Sequence, residues 1–209
     1  MYRMYTMKMK LYSSKTSPYA RKVWVVAHEL GLADLIEEVP TDPFEPQAEF
    51  LAANPLSKIP ALVTEKGECL PDSALIVEYL QTRGSGLAPL PRGGQRWTLM
   101  RRQQLGEGIL TAAVASRLEL RRPPEFVYRP WLERQAAAIG RALDALEPEA
   151  AEFLHADAVR VAEITVGVAL AYLDFRLPHL EWRRGHERLA RWYQAFSLRP
   201  SIQRTQPAG

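Results

Sequence analysis

A hydroxyl-rich segment near the start of the chain is the first place where the residue types suggest chemistry. Ser13–Thr16 leads from a strand-like pattern into Ser17-Pro18, and helical spacing follows. Proline is well tolerated in the first helical turn, where its missing N–H costs nothing, so Ser17 falls at the N-cap. The hydroxyl can simply cap the helix. The unpaired amides and positive dipole end of the helix can also hold an anion beside that hydroxyl, and a thiolate is one such anion.

A second segment combines a proline with the start of a strand. Pro60 follows Ile59 directly before an apolar run, and the ordinary interpretation is a proline at a strand start. Cis bonds are infrequent even before proline. If the Ile59–Pro60 bond is cis, the amide and carbonyl of Ile59 turn outward and can pair with an extended peptide.

A third segment places two capping residues in succession. Asp72 and Ser73 precede a helical pattern, and either residue type suffices for a helix start. Together they would also offer a carboxylate and a hydroxyl at a helix N-terminus. That pair is suited to an α-amino-acid head group.

A small sheet and two helices are needed to position these three segments. Residues 8–83 predict, in order, a strand, a helix, a strand, an irregular segment, two strands joined by a hairpin, and a helix. The predicted elements are Lys8–Tyr12, Tyr19–Leu30, Leu35–Val39, Ala61–Thr64, Glu68–Leu70 and Ala74–Gln81. A βαβ unit followed by ββα is the thioredoxin-like α/β layout, with a mixed four-stranded sheet.

The remainder of the chain is helical in pattern, and a change in composition separates it from the first part. All lysines precede residue 70, and the stretch 84–94 is rich in glycine and proline. We therefore expect a thioredoxin-like domain over 7–83, a linker over 84–94 and an all-helical domain over 95–209. Helices are predicted near 95–120, 130–146, 159–175 and 189–196. The third is apolar almost all round and should be the buried centre of its domain.

Composition argues against metal and disulfide chemistry. The single cysteine, Cys69, excludes an internal disulfide and a CxxC redox pair, and it argues against a thiolate metal site. The four histidines lack tight metal-ligand spacing; they are His28, His155, His179 and His186. We expect no metal.

The charge and hydropathy patterns indicate a cytoplasmic protein that binds neither membrane nor nucleic acid. The net charge of +3 is spread over segments that mix both signs, unlike the basic stripe of a nucleic-acid binder. No apolar run could span a bilayer, and the N-terminus lacks the core of a signal peptide. Met1, Met4 and Met7 are alternative starts, and residues 1–6 are expected to be dispensable.

In their order and spacing, the three segments resemble the N-terminal domain of a glutathione transferase. The motifs are S-P-Y-x-R from Ser17, N-P-x-x-K-I-P-x-L from Asn54 and D-S-x-x-I-x-x-Y-L from Asp72. The resemblance covers the chain from about Met7 and includes the ending R-P-S-I-Q-R-T from Arg199. It is similar above all to bacterial serine-type members, many of uncharacterised substrate. The implied architecture is a thioredoxin-like domain followed by an all-helical bundle.

The resemblance implies a chemical role for Ser17. It stands where the family places the Ser, Tyr or Cys that contacts the sulfur of glutathione, so it would be the catalytic residue. Tyr19 and side chains from the helix near Arg101 to Ser116 would line the site of a small hydrophobic electrophile. Glutathione would be the co-substrate, with no metal.

The resemblance also implies how the tripeptide would be held. Ile59, before the family's cis-proline at Pro60, would pair its backbone with the cysteinyl part. Asp72 and Ser73 would hold the γ-glutamyl head, with Asp72 in place of the more usual Glu. Lys58 would reach the glycine carboxylate.

Two departures from the family pattern refine these expectations. A Ser at position 17 cannot form a mixed disulfide, which favours addition or substitution over thiol-disulfide exchange. The buried helix begins with Arg160…Glu163, without the Ser/Thr-x-x-Asp box of many members, so Asp157 is a candidate cap.

The functional hypothesis is conjugation of glutathione to an electrophile by a homodimer with a role in detoxification. One alternative is a non-catalytic interaction protein of the stringent starvation protein A type, which would have a damaged glutathione site. Another is a glutathione-dependent peroxidase, isomerase or dehalogenase, which the sequence does not distinguish from a conjugating enzyme.

Overall fold

The computed structural model of the chain describes residues 8–154 and 159–207. They form two compact units: one contains the chain up to Leu87 together with the residues from Arg204 onward, and the other is Ala88–Gln203. The boundary at Leu87 falls within the predicted linker. The predicted helical domain runs to residue 209, whereas here the chain rejoins the first unit at Arg204. The segment 1–6 lies outside the described residues, as do His155 and Asp157.

The first unit is a four-stranded sheet with three α-helices among its described residues. Its elements are β1 (Met9–Ser13), α1 (Pro18–Glu29), β2 (Ile36–Pro40), α2 (Ala48–Ala53), β3 (Ala61–Val63), β4 (Cys69–Pro71) and α3 (Ser73–Gln81), with a 3-10 turn at Ala33–Leu35. The strand order is β2-β1-β3-β4. Strand β1 is parallel to β2 and antiparallel to β3, and β3 is antiparallel to β4. The predicted thioredoxin-like fold of this part is confirmed.

Alternation along β1 sends neighbouring side chains to opposite faces of the sheet. Leu11 is fully buried, and the next residue, Tyr12, is nearly so. The ring of Tyr12 lies 5.1 Å from that of Phe50 in α2. Ala61 completes this buried cluster, and half-buried Ile59 packs against it. The segment before the second site motif is thus anchored in the core.

Helix α2 corrects the prediction of an irregular segment between β2 and β3. It has six residues and no side-chain cap, and it buries Phe50 alone. A helix with one buried residue has no repeating apolar stripe, so the periodicity that reveals longer helices was missing.

The second unit is helical among its described residues. Its α-helices are α4 (Gly94–Glu119), α5 (Arg129–Leu146), α6 (Ala150–Leu154), α7 (Val161–Arg176), α8 (Glu187–Phe196) and α9 (Pro200–Arg204), the last of which ends in the first unit. Short 3-10 turns lie at Pro124–Phe126, Glu147–Glu149 and Pro178–Leu180. Helix α4 packs against α5 and α7. Every residue from Val161 to Leu173 is buried, which confirms α7 as the centre of this unit. Among the described residues, no helix is long and apolar enough to cross a bilayer.

A buried carboxylate, not a hydroxyl, caps the start of α7. The Arg160 N–H donates to Glu163 Oε2 at 3.0 Å, which is one half of a capping box. An arginine side chain carries donors only and cannot supply the reciprocal bond. Glu163 is 3% exposed, and this burial raises its pKa against the opposing effect of its hydrogen bonds and of the Arg160 and Arg102 charges.

We expect the Glu163→Gln variant to have a flatter stability profile between mildly acidic and neutral pH. A carboxyl whose pKa is raised on folding binds its proton more tightly in the native state than in the unfolded state. The free energy of unfolding therefore falls as pH rises from about 4.5, the ordinary pKa of a glutamate, through the raised pKa of the native state. Glutamine keeps the bond to Arg160 N–H and does not ionise. Urea unfolding of both proteins over a pH series measures the difference, with exposed Glu125→Gln as control. An unchanged profile would contradict the assignment.

Candidate functional site

Ser17 is the N-cap of α1, as predicted. Its Oγ accepts a hydrogen bond from the Ala20 N–H at 3.2 Å, and its own N–H donates to the Ser14 carbonyl at 3.0 Å. The backbone at Ser17 is extended, with φ −79° and ψ 121°, and Pro18 begins the helix. Capping uses the lone pairs of the hydroxyl but not its hydrogen. Among the described residues, no acceptor pairs with that hydrogen.

The electrostatic setting of Ser17 favours a negative charge. The first turn of α1 contains no acidic residue, so the positive end of the helix dipole is uncompensated there. Lys15 is exposed in the loop just before it. A donor hydroxyl at the positive end of a helix is a suitable partner for an anion.

The Ile59–Pro60 peptide bond is cis, the state that sequence left open. The loop before it is organised by Asn54, which is 1% exposed. The Asn54 Nδ2 donates to the Lys58 carbonyl at 2.7 Å, and its Oδ1 accepts from the Leu56 N–H at 3.1 Å. Neither the N–H nor the carbonyl of Ile59 is paired within the described residues. This segment therefore presents an open main-chain donor and acceptor.

Asn54 is a supporting residue whose role was not predicted from the sequence. Its signal was the Asn-Pro step, because an Asn side chain readily bonds to backbone two residues ahead. That signal did not show that the Asn54 side chain would also reach the Lys58 carbonyl, four residues ahead.

Asp72 and Ser73 begin α3 in an unusual backbone conformation. Asp72 has φ 73° and ψ 136°, a positive φ that is uncommon outside glycine and tends to occur at functional sites. Its Oδ1 accepts from the Ala74 N–H at 2.7 Å, and the second oxygen of this exposed carboxylate has no partner among the described residues. Ser73 is 3% exposed. Its hydroxyl has no hydrogen-bond partner among the described residues, and the oxygen retains a small solvent-accessible area.

Strand register brings the three motifs to one end of the sheet. Ala61 of β3 is opposite Tyr12 of β1 and opposite Pro71 of β4. Pro60, immediately before Ala61, therefore lies between the end of β1 and the end of β4. The loop to Ser17 leaves from the first of these ends, and Asp72 follows the second. Ser17, which is 43 residues from Pro60 and 55 from Asp72 in sequence, thus meets both at this edge.

The other residues predicted for the site lie next to the three motifs in sequence or belong to the second unit. Lys58 is exposed and forms no ion pair with described residues. Tyr19 is half-buried in the first turn of α1. The predicted wall from Arg101 to Ser116 belongs to α4 of the second unit, where Arg102 is ion-paired with Glu149.

Cys69 and the titratable groups do not form a second reactive centre among the described residues. Cys69 lies on β4, half-buried, and burial raises the pKa of its thiol. A raised pKa keeps the sulfur protonated and weakly nucleophilic. No group of three or more His, Cys, Asp or Glu side chains in the described part of the chain could hold a metal ion.

Comparison with known proteins places this geometry in a family. The profile "Glutathione S-transferase, N-terminal domain" matches residues 16–83, and "Glutathione S-transferase, C-terminal domain" matches 129–195. The "Uncharacterized GST-like protein YibF" of Escherichia coli K12 is 36% identical over 202 residues, covering 95% of this chain and 98% of that protein.

Solved structures agree with the sequence matches. A glutathione transferase family member from Pseudomonas fluorescens Pf-5, solved with bound glutathione, is 40% identical with a TM-score of 0.89 and covers 97% of this chain and 100% of its own. A glutathione S-transferase from Methylobacillus flagellatus KT, solved with glutathione bound, is 35% identical with a TM-score of 0.87 and covers 96% and 100%. The chain belongs to the glutathione S-transferase family.

Proposed function

We propose that the protein is a glutathione transferase in which Ser17 stabilises the thiolate of glutathione for attack on a small hydrophobic electrophile. The observation that carries this proposal is the Ser17 hydroxyl: its oxygen caps α1, and its hydrogen has no acceptor in the described residues. A sulfur anion placed there would receive that hydrogen bond. Relatives solved with glutathione bound support the choice of thiol.

The energy needed for thiolate formation is within reach of this site. A free thiol with a pKa near ~8.5 is only a few per cent ionised at neutral pH. Lowering its pKa by about two units requires roughly 2.7 kcal/mol of preferential stabilisation of the anion. A hydrogen bond to a charged acceptor contributes about 1.5–3 kcal/mol and a helix N-terminus about 0.3–1 kcal/mol. Ser17 need only donate; it is neither nucleophile nor base.

The rest of the edge has complementary groups for a γ-glutamyl-cysteinyl-glycine chain. The open N–H and carbonyl of Ile59, beside Pro60, can pair with the extended backbone of the cysteinyl unit. The free oxygen of Asp72 suits the α-ammonium of the γ-glutamyl head, and Ser73 at the start of α3 suits its α-carboxylate. The exposed ammonium of Lys58 can meet the glycine carboxylate.

Conjugation is favoured over thiol-disulfide exchange because the edge offers no reactive thiol. Ser17 cannot form a mixed disulfide, and burial keeps Cys69 as a thiol. Tyr19, half-buried beside Ser17, is the proposed wall for the electrophile. The proposed setting is cytoplasmic detoxification.

The second copy of a homodimer would also be a partner. Exposed apolar side chains occur among acidic residues in the first unit, as with Phe44 between Asp42 and Glu45, and among arginines in the second, as with Tyr128 before Arg129. Surfaces of opposite charge with apolar centres are complementary. Sedimentation velocity at micromolar concentration should give a dimer, and a monomer would contradict it.

Titration calorimetry with glutathione tests the proposed function, followed by an electrophile panel that includes activated chloroarenes and unsaturated carbonyls. We expect binding below millimolar glutathione and thioether products. Absence of binding at millimolar glutathione would overturn the proposal and favour an interaction protein. Binding without product from any electrophile would overturn the catalytic part.

A further inference from the structure

The end of the chain returns to the first unit and lies against α1. Residues from Arg204 onward belong to that unit. The Arg21 Nε donates to Thr205 Oγ1 at 3.4 Å. Further along the helix, the pKa of His28 is lowered, chiefly by burial and then by the charge of Arg204. Arg21 and His28 are seven residues apart and therefore share one face of α1, so the segment from Arg204 contacts this face at Arg21 and its charge acts on His28.

Arg21 is also one helical turn from Ser17. Its N–H donates to the Ser17 carbonyl at 3.0 Å, and residues four apart are neighbours on a helix surface. Long side chains in helices generally lean towards the N-terminus, which is the direction in which Ser17 lies from Arg21. Arg21 is 8% exposed, so salt and water screen its charge less than that of a surface arginine.

We propose that Arg21 is a positioning residue for the Ser17 turn and that Thr205 holds it in place. The inference rests on the proposed function. A positive charge held near the sulfur favours the thiolate over the thiol, and the bond to Thr205 Oγ1 restrains the guanidinium. The C-terminal segment 204–207 thereby acts on the sulfur through Arg21.

The test measures the pH dependence of kcat/KM with glutathione and an activated chloroarene, and the titration of bound glutathione by the ultraviolet absorbance of the thiolate. In Arg21→Gln we expect the pKa of the bound thiol to rise by about half to one unit, so that activity falls about 1.5- to threefold at pH 7 and about three- to tenfold at pH values well below that pKa. Activity recovers at alkaline pH. Arg21→Lys, which keeps the charge, should restore most of the difference.

Thr205 provides a milder variant that keeps every charge. Thr205→Val should move the profile in the same direction by a smaller amount, because its methyl cannot accept from Arg21 Nε. Thr205→Ser keeps the hydroxyl and should match the parent protein. If Arg21→Gln does not fold, the Thr205 pair decides the question.

The outcomes separate this inference from the proposed function. A pH profile that is unmoved in Arg21→Gln and Thr205→Val overturns the inference, even if both variants unfold at lower temperature, while normal glutathione binding leaves the proposed function intact. Failure of the parent protein to bind glutathione overturns both. A pH profile that shifts in Arg21→Gln and returns to that of the parent protein in Arg21→Lys supports the inference.

Discussion

Ser17→Ala is expected to lower kcat about 10- to 150-fold while changing the Kd for glutathione less than about threefold. The range follows from losing one hydrogen bond to a charged acceptor, about 1.5–3 kcal/mol, in the state where sulfur is anionic. Ground-state affinity depends on Ile59, Asp72 and the other peptide contacts, which the substitution leaves in place. Steady-state kinetics at saturating glutathione measures kcat, and titration calorimetry measures the Kd.

Loss of the α1 cap must be separated from loss of the donor. Alanine at an N-cap costs about 1 kcal/mol of stability, which could disturb the site indirectly. Ser17→Asp retains a capping oxygen for Ala20 N–H, yet it has no proton to donate and its charge repels a thiolate. We therefore expect Ser17→Asp to be as stable as the parent protein and at least as inactive as Ser17→Ala.

A neighbouring hydroxyl provides the matched control. Ser14 lies in the same loop, and its Oγ is 3.2 Å from Thr16 Oγ1. Ser14→Ala removes one hydroxyl but keeps the Ser14 carbonyl that receives the Ser17 N–H, so activity should stay within about twofold. Full activity in either Ser17 variant would refute the donor role.

Asp72→Asn is expected to raise the Kd for glutathione about five- to tenfold with kcat nearly unchanged. Asparagine caps a helix as well as aspartate and tolerates positive φ, so the bond to Ala74 N–H and the φ of 73° can persist. What disappears is one negative charge opposite the α-ammonium of glutathione, worth about 1 kcal/mol. Asp72→Ala, which also loses the cap, should bind still more weakly and unfold more easily.

Asp42 offers the same chemistry away from the site. Its Oδ1 accepts from the Phe44 N–H at 2.9 Å on an exposed loop, so Asp42→Asn makes the same change of charge and geometry. Calorimetry should give an unchanged Kd for this control. If Asp72→Asn bound glutathione as tightly as Asp42→Asn, the contact with the γ-glutamyl head would be wrong.

The sheet and the long helices could be predicted because their hydrophobic periods are regular. Strands β1, β3 and β4 and helices α1, α4, α5 and α7 lie within a few residues of the predicted limits. Hydrophobic spacing also identified α7 as buried. Helices α2, α6 and α9, with five or six residues each, are too short to show a period, and tertiary packing supplies their stability.

The residues of the candidate site could be proposed from the sequence, but the backbone conformation that presents them could not. Ser17, Pro60 and Asp72 were recognisable by type and spacing, and the cap at Ser17 followed from Pro18. The residues themselves left open the cis bond at Ile59–Pro60, which only the family resemblance implied, and gave no sign of the positive φ of Asp72. Each depends on contacts that fix one of several allowed conformations. The contact of Arg21 with Thr205 links residues 184 positions apart, beyond the reach of any local pattern.

That contact has a consequence for how the protein is made. Residues 8–87 leave the ribosome before the second unit and contain all the strands of the described first unit. Domains ordinarily fold one by one, the N-terminal first, during synthesis. Here Thr205 is translated after the whole of Ala88–Gln203, so the partner of Arg21 is missing until the second unit has also been synthesised. The first unit to emerge is therefore the last to be completed.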